Sequence, residues 1–201
     1  SGDAYMCSCP VEVARENRNK GIACEHRDKS PEQNLADWKK LPHMKEGDAV
    51  LRLKIDIAHQ NSTMRDPTIF RIIDAPHARL GTKYRVWPNY DFQNAIMDGY
   101  YGITHRLRSK EFELRSELQR HIQKLLGINV TFTYEFARFN MIGVPNSGRV
   151  IREMIAKKEL IGWDDPSLTT IVALRRRGFL PEAIREFVIS TGITKTASTI
   201  S

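Results

Sequence analysis

Four residues near the start of the chain decide which segments have to meet. Cys7 and Cys9 form a C-x-C pair, fourteen residues follow, and Cys24 and His26 form a C-x-H pair. Three thiolates and an imidazole are the soft and borderline donors that tetrahedral zinc takes. Pro10 suits a first helical position and Gly21 a helix stop, so one helix fills the gap between the pairs. The spacing predicts a small knuckle whose core is the metal. The competing explanation is three cysteines placed by packing beside an unrelated histidine, although close pairs of this kind seldom arise that way. An odd total of three cysteines, all within the first 24 residues, argues against a disulfide framework and for a reducing, cytoplasmic compartment.

Behind the knuckle the pattern alternates between helix and strand. Ser30-Pro31-Glu32-Gln33 is a capping-box start, with Leu35, Trp38 and Leu41 as the apolar stripe of the helix it opens. From Ala49 to Ile57 the period falls to two, with Leu51, Leu53, Ile55 and Ile57 facing inward and Arg52, Lys54 and Asp56 outward. Further strands are expected over 68–74 and 83–87. Asp91 can cap a helix starting at Phe92, whose apolar face is Phe92, Ala95, Ile96 and Gly99. After Gly102 a strand runs from Ile103 to Leu107 and ends in Arg108. Strand, helix and strand in this order suggest part of a parallel α/β sheet, in which ligands sit at the carboxyl ends of strands. Residues 113–126 read as an amphipathic helix with Leu114, Leu118, Ile122 and Leu125 inside, and 130–139 as a strand. Beyond 150 helices dominate: 151–160, one opened by Pro166 that includes Ile171 and Leu174, and 181–191 with Ile184, Phe187 and Val188 inside.

Charge narrows the partners only slightly. The net charge of +7 is spread thinly: residues 1–86 hold 15 basic and 12 acidic side chains, 87–140 hold 7 and 6, and 141–201 hold 9 and 6. Such a surface concentrates polyanions, so nucleic acid is a plausible partner. The one dense point is Arg175-Arg176-Arg177. It can meet phosphates or simply cap a helix end, where cations are favoured. No apolar run approaches the roughly 20 residues of a membrane span.

Particular words in the sequence say more. WPNYDF (87–92) and GITHRLRSKEF (102–112) are followed by YEFARFN (134–140), IGWDDPSLTTIVALRRRGF (161–179) and PEAIREF (181–187), and preceded by RDPTIFRI (65–72). Together they closely resemble the second half of the catalytic domain of class I glutamyl- and glutaminyl-tRNA synthetases, with the archaeal-type glutamyl enzymes as the best match. The resemblance covers nearly the whole chain. It implies an α/β fold in three parts. Residues 1–84 would be the latter part of an acceptor-stem-binding insertion, a zinc-containing antiparallel α+β region. Residues 85–142 would form the second half of a Rossmann-type catalytic domain, and 143–201 a KMSKS-like loop with a helical stem-contact region.

The resemblance also implies residue roles. Arg108 falls where glutamyl enzymes tend to hold an arginine and glutaminyl enzymes a small uncharged residue, and guanidinium binds carboxylate through two parallel hydrogen bonds. Tyr90 and Asn94 fall in the substrate pocket; the competing reading of Tyr90 is a buried aromatic with its hydroxyl satisfied locally. His105 and Ser109 flank the ATP site, where an ordinary strand-end role competes. Ser147 and Arg149 match the mobile catalytic loop, also on the ATP side, while Gly148 stands where a lysine is expected. Losing that fixed cation removes about 3 kcal/mol of transition-state stabilisation. Arg175, Arg176 and Arg177 would contact tRNA, and Cys7, Cys9, Cys24 and His26 would hold the zinc module found near the acceptor end.

The implied activity is ATP- and Mg2+-dependent activation of glutamate and its transfer to the 3′ end of tRNA(Glu). A glutaminyl enzyme and a non-catalytic, zinc-containing tRNA-binding module are the alternatives. No H-x-G-H word occurs in these residues. The chain is therefore expected to be an internal fragment, lacking the N-terminal catalytic half and the anticodon-binding domain, and inactive alone.

Overall fold

The computed structural model describes residues 2–200; the side chains of Phe139, Ser198 and Ile200 also lie outside the description. The described chain divides into two units. One comprises residues 1–106 and 111–133, the other 107–110 and 134–201.

The first unit is built on a four-stranded antiparallel sheet. β1 (Ala4–Cys7) pairs with β2 (Val50–Leu53), β2 with β3 (Thr68–Ile72), and β3 with β4 (Val86–Pro88). Between β1 and β2 lie α1 (Val11–Lys20) and α2 (Pro31–Lys40). Gly21 ends α1 in the left-handed region at φ 68°, and Ser30 and Gln33 close the capping box reciprocally. Both features follow from the sequence. Leu41 is fully buried and Trp38 packs edge-on against Phe70, but Leu35 is 55% exposed and leaves the expected stripe.

The alternation expected over 49–57 holds only in part. The β2–β3 register shifts between Leu51 and Arg52. Arg52, expected outward, is buried, and its Nε donates to the Asp66 carbonyl at 2.7 Å. A bulge turns a side chain to the other face, and the guanidinium is tolerated there because it is hydrogen-bonded.

α3 (Tyr90–Tyr100) starts two residues earlier than expected, with Asn89 at its N-cap. Asp91 is not the cap: its carboxylate accepts from Gln119 at 2.8 Å and Arg115 at 3.1 Å, both on α4 (Glu113–Leu125). Ala95 and Gly99 are buried as expected, and Gly99 allows a close approach, since a Cβ there would lie 3.0 Å from the Asn129 carbonyl. On α4 Leu118 and Ile122 are buried, whereas Leu114 and Leu125 are 56% and 41% exposed. Ser116, Gln119 and Gln123 occupy the buried face instead. Leu53, Met64, Ile69, Ala95, Leu118 and Ile122 form one core cluster between sheet and helices.

The expected parallel sheet does not join the strands flanking α3. β4 belongs to the antiparallel sheet, while β5 (His105–Ser109) pairs with β6 (Phe132–Phe136). The division between the units runs through both β5 and β6.

In the second unit β7 (Phe139–Met141) pairs in parallel with β8 (Ser198–Ile200). α5 (Gly148–Ala156), α6 (Ile171–Arg176) and α7 (Pro181–Thr191) follow β7. Ile151, Leu160, Leu168 and Ala173 make its core cluster. Pro166 does not open a helix. Asp165 accepts from the Ser167 hydroxyl and from the backbone N–H groups of Ile161 and Ser167, so a turn forms and Thr170 caps α6. On α7 only Ile184 of the expected inner residues is half-buried; Phe187 and Val188 are 42% and 47% exposed. Periodicity fixes which side chains share a face, not whether that face is covered.

Candidate functional site

The cysteine and histidine pairs meet. Cys7 ends β1 and is buried; Cys9 follows at the entrance of α1; Cys24 and His26 lie at the short 3-10 turn Glu25–Asp28. Their four candidate ligand atoms all lie within 4.8 Å of one another. The Cys7 and Cys24 sulfurs are 3.9 Å apart, and Cys9 Sγ is 3.4 Å from His26 Nδ1. Metal–donor bonds of about 2.0–2.3 Å in tetrahedral geometry separate the donors by about 3.5–3.8 Å. These two separations lie close to that range, so the donor set suits one tetrahedral ion once the wider separations, up to 4.8 Å, draw in.

The second ring nitrogen of His26 is occupied: Nε2 lies 2.8 Å from the Ser8 hydroxyl. That contact orients the imidazole with Nδ1 toward the cluster, as outer partners of ligating histidines do. Partial burial, then the neighbouring Cys7 and Cys24 thiols, push the Cys9 thiol up to about 12. A bound cation reverses this bias, because thiolates are the ligand form.

The turn carrying Cys24 and His26 is fastened to the sheet. Arg27 Nε donates to the Asp66 carboxylate at 2.7 Å, which also accepts from the Tyr5 hydroxyl at 3.2 Å and the Ile55 N–H at 2.8 Å. Burial, with Asp66 adding to it and Arg52 opposing, raises the Tyr5 phenol well above its ordinary range. The Asp66 hydrogen bond raises Arg27 in turn. A cleft of about 290 Å³ opens beside the cluster, with Cys7, Cys9, Arg15, Arg18, Arg52 and Asp66 in its lining. The sequence marked none of Arg27, Asp66 or Arg52 as a site residue, and it placed Arg52 on the outward face of its strand.

The remaining candidate residues fall on both units. In the first, Tyr90 and Asn94 share α3, and the Asn94 amide donates to the Tyr90 carbonyl at 3.3 Å. The Tyr90 ring lies 5.6 Å from that of Phe112 and 5.8 Å from the Arg115 guanidinium. Tyr90 is 45% exposed, hence not the buried aromatic of the alternative reading. His105 Nδ1 lies 3.1 Å from the Thr104 hydroxyl. Its neighbour Arg106, missed in the sequence, is buried in an ion pair with Asp98 at 2.6 Å and donates to Thr133 at 2.9 Å.

In the second unit Arg108 and Ser109 are half-buried at the end of β5. Ser147 is the N-cap of α5, and Arg149, in its first turn, is 84% exposed and 3.9 Å from Glu153. Backbone N–H groups at that helix start face outward with a positive end charge, which suits phosphate. Arg175, Arg176 and Arg177 are all exposed. Arg176 bonds Asp164 at 3.2 Å, and Arg177 lies 5.1 Å from the Phe179 ring.

Comparison with known proteins places these residues in a family context. Residues 1–201 match the family described as tRNA synthetases class I (E and Q), catalytic domain. The chain is 47% identical over 203 residues to the glutamate–tRNA ligase of Pyrococcus horikoshii and 45% identical over 203 residues to that of Korarchaeum cryptofilum. In both cases it is covered completely and spans 36% of the relative. The ligase of Methanocella arvoryzae is 41% identical over 198 residues, covering 97% of this chain and 35% of its own length. Among solved structures, a glutamate tRNA ligase from Elizabethkingia meningosepticum in complex with its amino acid has a TM-score of 0.56 at 15% identity. It covers all of this chain and 48% of its own.

Proposed function

The chain belongs to the catalytic-domain family of class I tRNA synthetases (E and Q), and from that premise we propose that it is part of a glutamate–tRNA ligase. The parent protein activates glutamate with ATP and transfers it to the 3′ end of tRNA(Glu). The observation that carries this reading is the 41–47% identity to archaeal glutamate–tRNA ligases along almost the full chain.

Arg108 reads the substrate side-chain carboxylate; Tyr90 and Asn94, both on α3, also bind the substrate. His105, Ser109, Ser147 and Arg149 serve ATP, which brings Mg2+ with it. The N-terminus of α5 adds backbone donors toward phosphate. Arg175, Arg176 and Arg177 contact tRNA phosphates. Cys7, Cys9, Cys24 and His26 hold zinc, which supplies a structural cross-link between β1 and the Glu25–Asp28 turn. Residues 1–84 present the acceptor-stem insertion, 85–142 the second half of the nucleotide fold, and 143–201 the catalytic loop and stem-contact helices. The remaining catalytic half and an anticodon-binding domain belong to the same parent, which works in the cytoplasm.

The test is glutamate-dependent ATP–pyrophosphate exchange by the full-length parent. Exchange with glutamate supports the reading; exchange with glutamine alone assigns the glutaminyl activity instead. A second reading, a zinc-holding tRNA-binding module without catalysis, is favoured by Gly148 in place of the loop lysine. No exchange with either amino acid, together with retained tRNA binding, would establish it. Elemental analysis tests the metal: about one zinc per chain, lost with structure on chelation, is the expected result.

A further inference from the structure

Tyr90 is the first residue of α3, and helical side chains lean toward the helix N-terminus. Its ring therefore projects past the helix start, where no earlier turn exists to pack against, and the residue is 45% exposed. Phe112 and Arg115 flank it. The Phe112 ring, just before α4, lies 5.6 Å away and tilted by 41°. The Arg115 guanidinium lies 5.8 Å from the Tyr90 ring and 5.8 Å from the Phe112 ring, so it sits in the crook between the two.

Arg115 is itself anchored. Its Nη1 donates to Asp91 Oδ2 at 3.1 Å, and the fully buried Gln119 donates to Asp91 Oδ1 at 2.8 Å, so α4 engages both carboxylate oxygens. The Arg115–Asp91 pair adds little to the joint between α3 and α4. Gln119 on Asp91, Gln123 on the Ala95 carbonyl at 3.1 Å, and the core contacts of Ala95, Leu118 and Ile122 already make that joint. The Arg115 and Asp91 side chains are 43% and 18% exposed, and ion pairs open to water contribute little to stability. What the guanidinium adds is a hold on a ring free to turn about its side-chain torsions, because a cation is attracted to the aromatic quadrupole.

We propose that Arg115 is a positioning residue for glutamate binding: locked by Asp91, it holds the Tyr90 ring so that the phenolic hydroxyl meets the substrate. The proposal rests on the reading of Tyr90 as a substrate contact, and the hydroxyl is the one polar group its side chain offers. Phe112 supplies an apolar wall to the same clamp.

The experiment is glutamate-dependent ATP–pyrophosphate exchange by the full-length parent, with KM for glutamate and for ATP measured in Tyr90→Phe, Arg115→Met and the double variant. Tyr90→Phe keeps the ring but removes the hydroxyl, and should raise the glutamate KM about tenfold. Arg115→Met removes the cation and keeps an unbranched side chain. It should raise the glutamate KM about fivefold, leave the ATP KM unchanged, and add nothing in the Tyr90→Phe background. A merely structural role would give the same factor in both backgrounds, because the ring is present in each. Equal factors overturn the proposal, and so does a rise in the ATP KM. An unchanged glutamate KM in Arg115→Met, beside a raised one in Tyr90→Phe, overturns it too and spares the Tyr90 reading. An unchanged glutamate KM in Tyr90→Phe fails that reading and the positioning role together, while exchange itself keeps the ligase reading standing. Absence of exchange in the wild-type parent fails all three. Asp91→Asn, which weakens the hold on the guanidinium and keeps the Gln119 bond, should shift the glutamate KM in the same direction. It carries the test if Arg115→Met fails to fold, and an unchanged glutamate KM there overturns the proposal.

Discussion

Gln123 holds Thr131 with both ends of one amide. Its Oε1 accepts the Thr131 N–H at 3.0 Å, and its Nε2 donates to the Thr131 hydroxyl at 3.1 Å and to the Ala95 carbonyl at 3.1 Å. Both residues are fully buried, so water cannot replace either contact. Replacing the amide by an apolar side chain strands the Thr131 N–H. Gln123→Met should cost about 2 kcal/mol, read as a lower urea midpoint with an unchanged slope.

The carboxylate of Asp66 has no solvent exposure, and Arg27 is its one ion-pair partner among the described residues. Removing that partner leaves a buried anion with only neutral donors. Arg27→Met should destabilise the chain by about 3 kcal/mol, measured in the metal-loaded form so that loss of zinc is scored separately.

Asp165 gives the second unit an acid-sensitive loop. The Ser167 hydroxyl first, then the N–H groups of Ile161 and Ser167, hold its carboxyl below the usual carboxylate range. A depressed value in the folded state means stability present above about pH 4 and lost as pH falls through the folded value. Wild type and Asp165→Ala should therefore differ most in Tm at neutral pH and converge in acid. Trp163 emission reports the same loop, because the Thr170 hydroxyl donates to the Trp163 carbonyl at 2.6 Å.

Gly148 opens α5 with room to spare: a Cβ there meets only Trp163 Cη2, at an ordinary 3.8 Å. A lysine is therefore sterically free at this position. In the full-length parent, Gly148→Lys should raise ATP–pyrophosphate exchange by about a hundredfold if the missing cation is worth roughly 3 kcal/mol. An unchanged rate would mean that Arg149 or the helix start already supplies the charge.

Local chemistry was legible in the sequence wherever one short stretch determined the outcome. The Ser30–Gln33 capping box, the Gly21 stop and the assembly of Cys7, Cys9, Cys24 and His26 all follow from spacing. What stayed hidden was polar burial. Arg52, Arg106, Gln119, Gln123 and Asp66 read as surface residues by type, and each is buried against a hydrogen-bond partner that its own stretch of sequence does not announce, although Arg106 Nη2 and Gln119 Oε1 have none among the described residues. On β6 the polar residues take the covered face: Thr133 and Glu135 are buried while Phe132 and Tyr134 are exposed. Arg106 meets Thr133, and Lys195 meets Glu135 at 3.2 Å. The strands flanking α3 misled for a topological reason. Order along the chain suggested one parallel sheet, but β4 had a nearer antiparallel neighbour in β3.

Asp66 sits at φ 41°, one of two non-glycine residues with positive φ among those described. Few side chains accept that backbone, and asparagine, aspartate and glycine are the usual ones. Of these only aspartate also brings the negative charge that Arg27 and the Ile55 N–H require together. Glutamate keeps the charge but not the backbone; asparagine and glycine keep the backbone but not the charge. Position 66 therefore has almost no freedom to drift, and a lineage that loses this aspartate would have to lose Arg27 in the same step or rebuild the turn that presents Cys24 and His26.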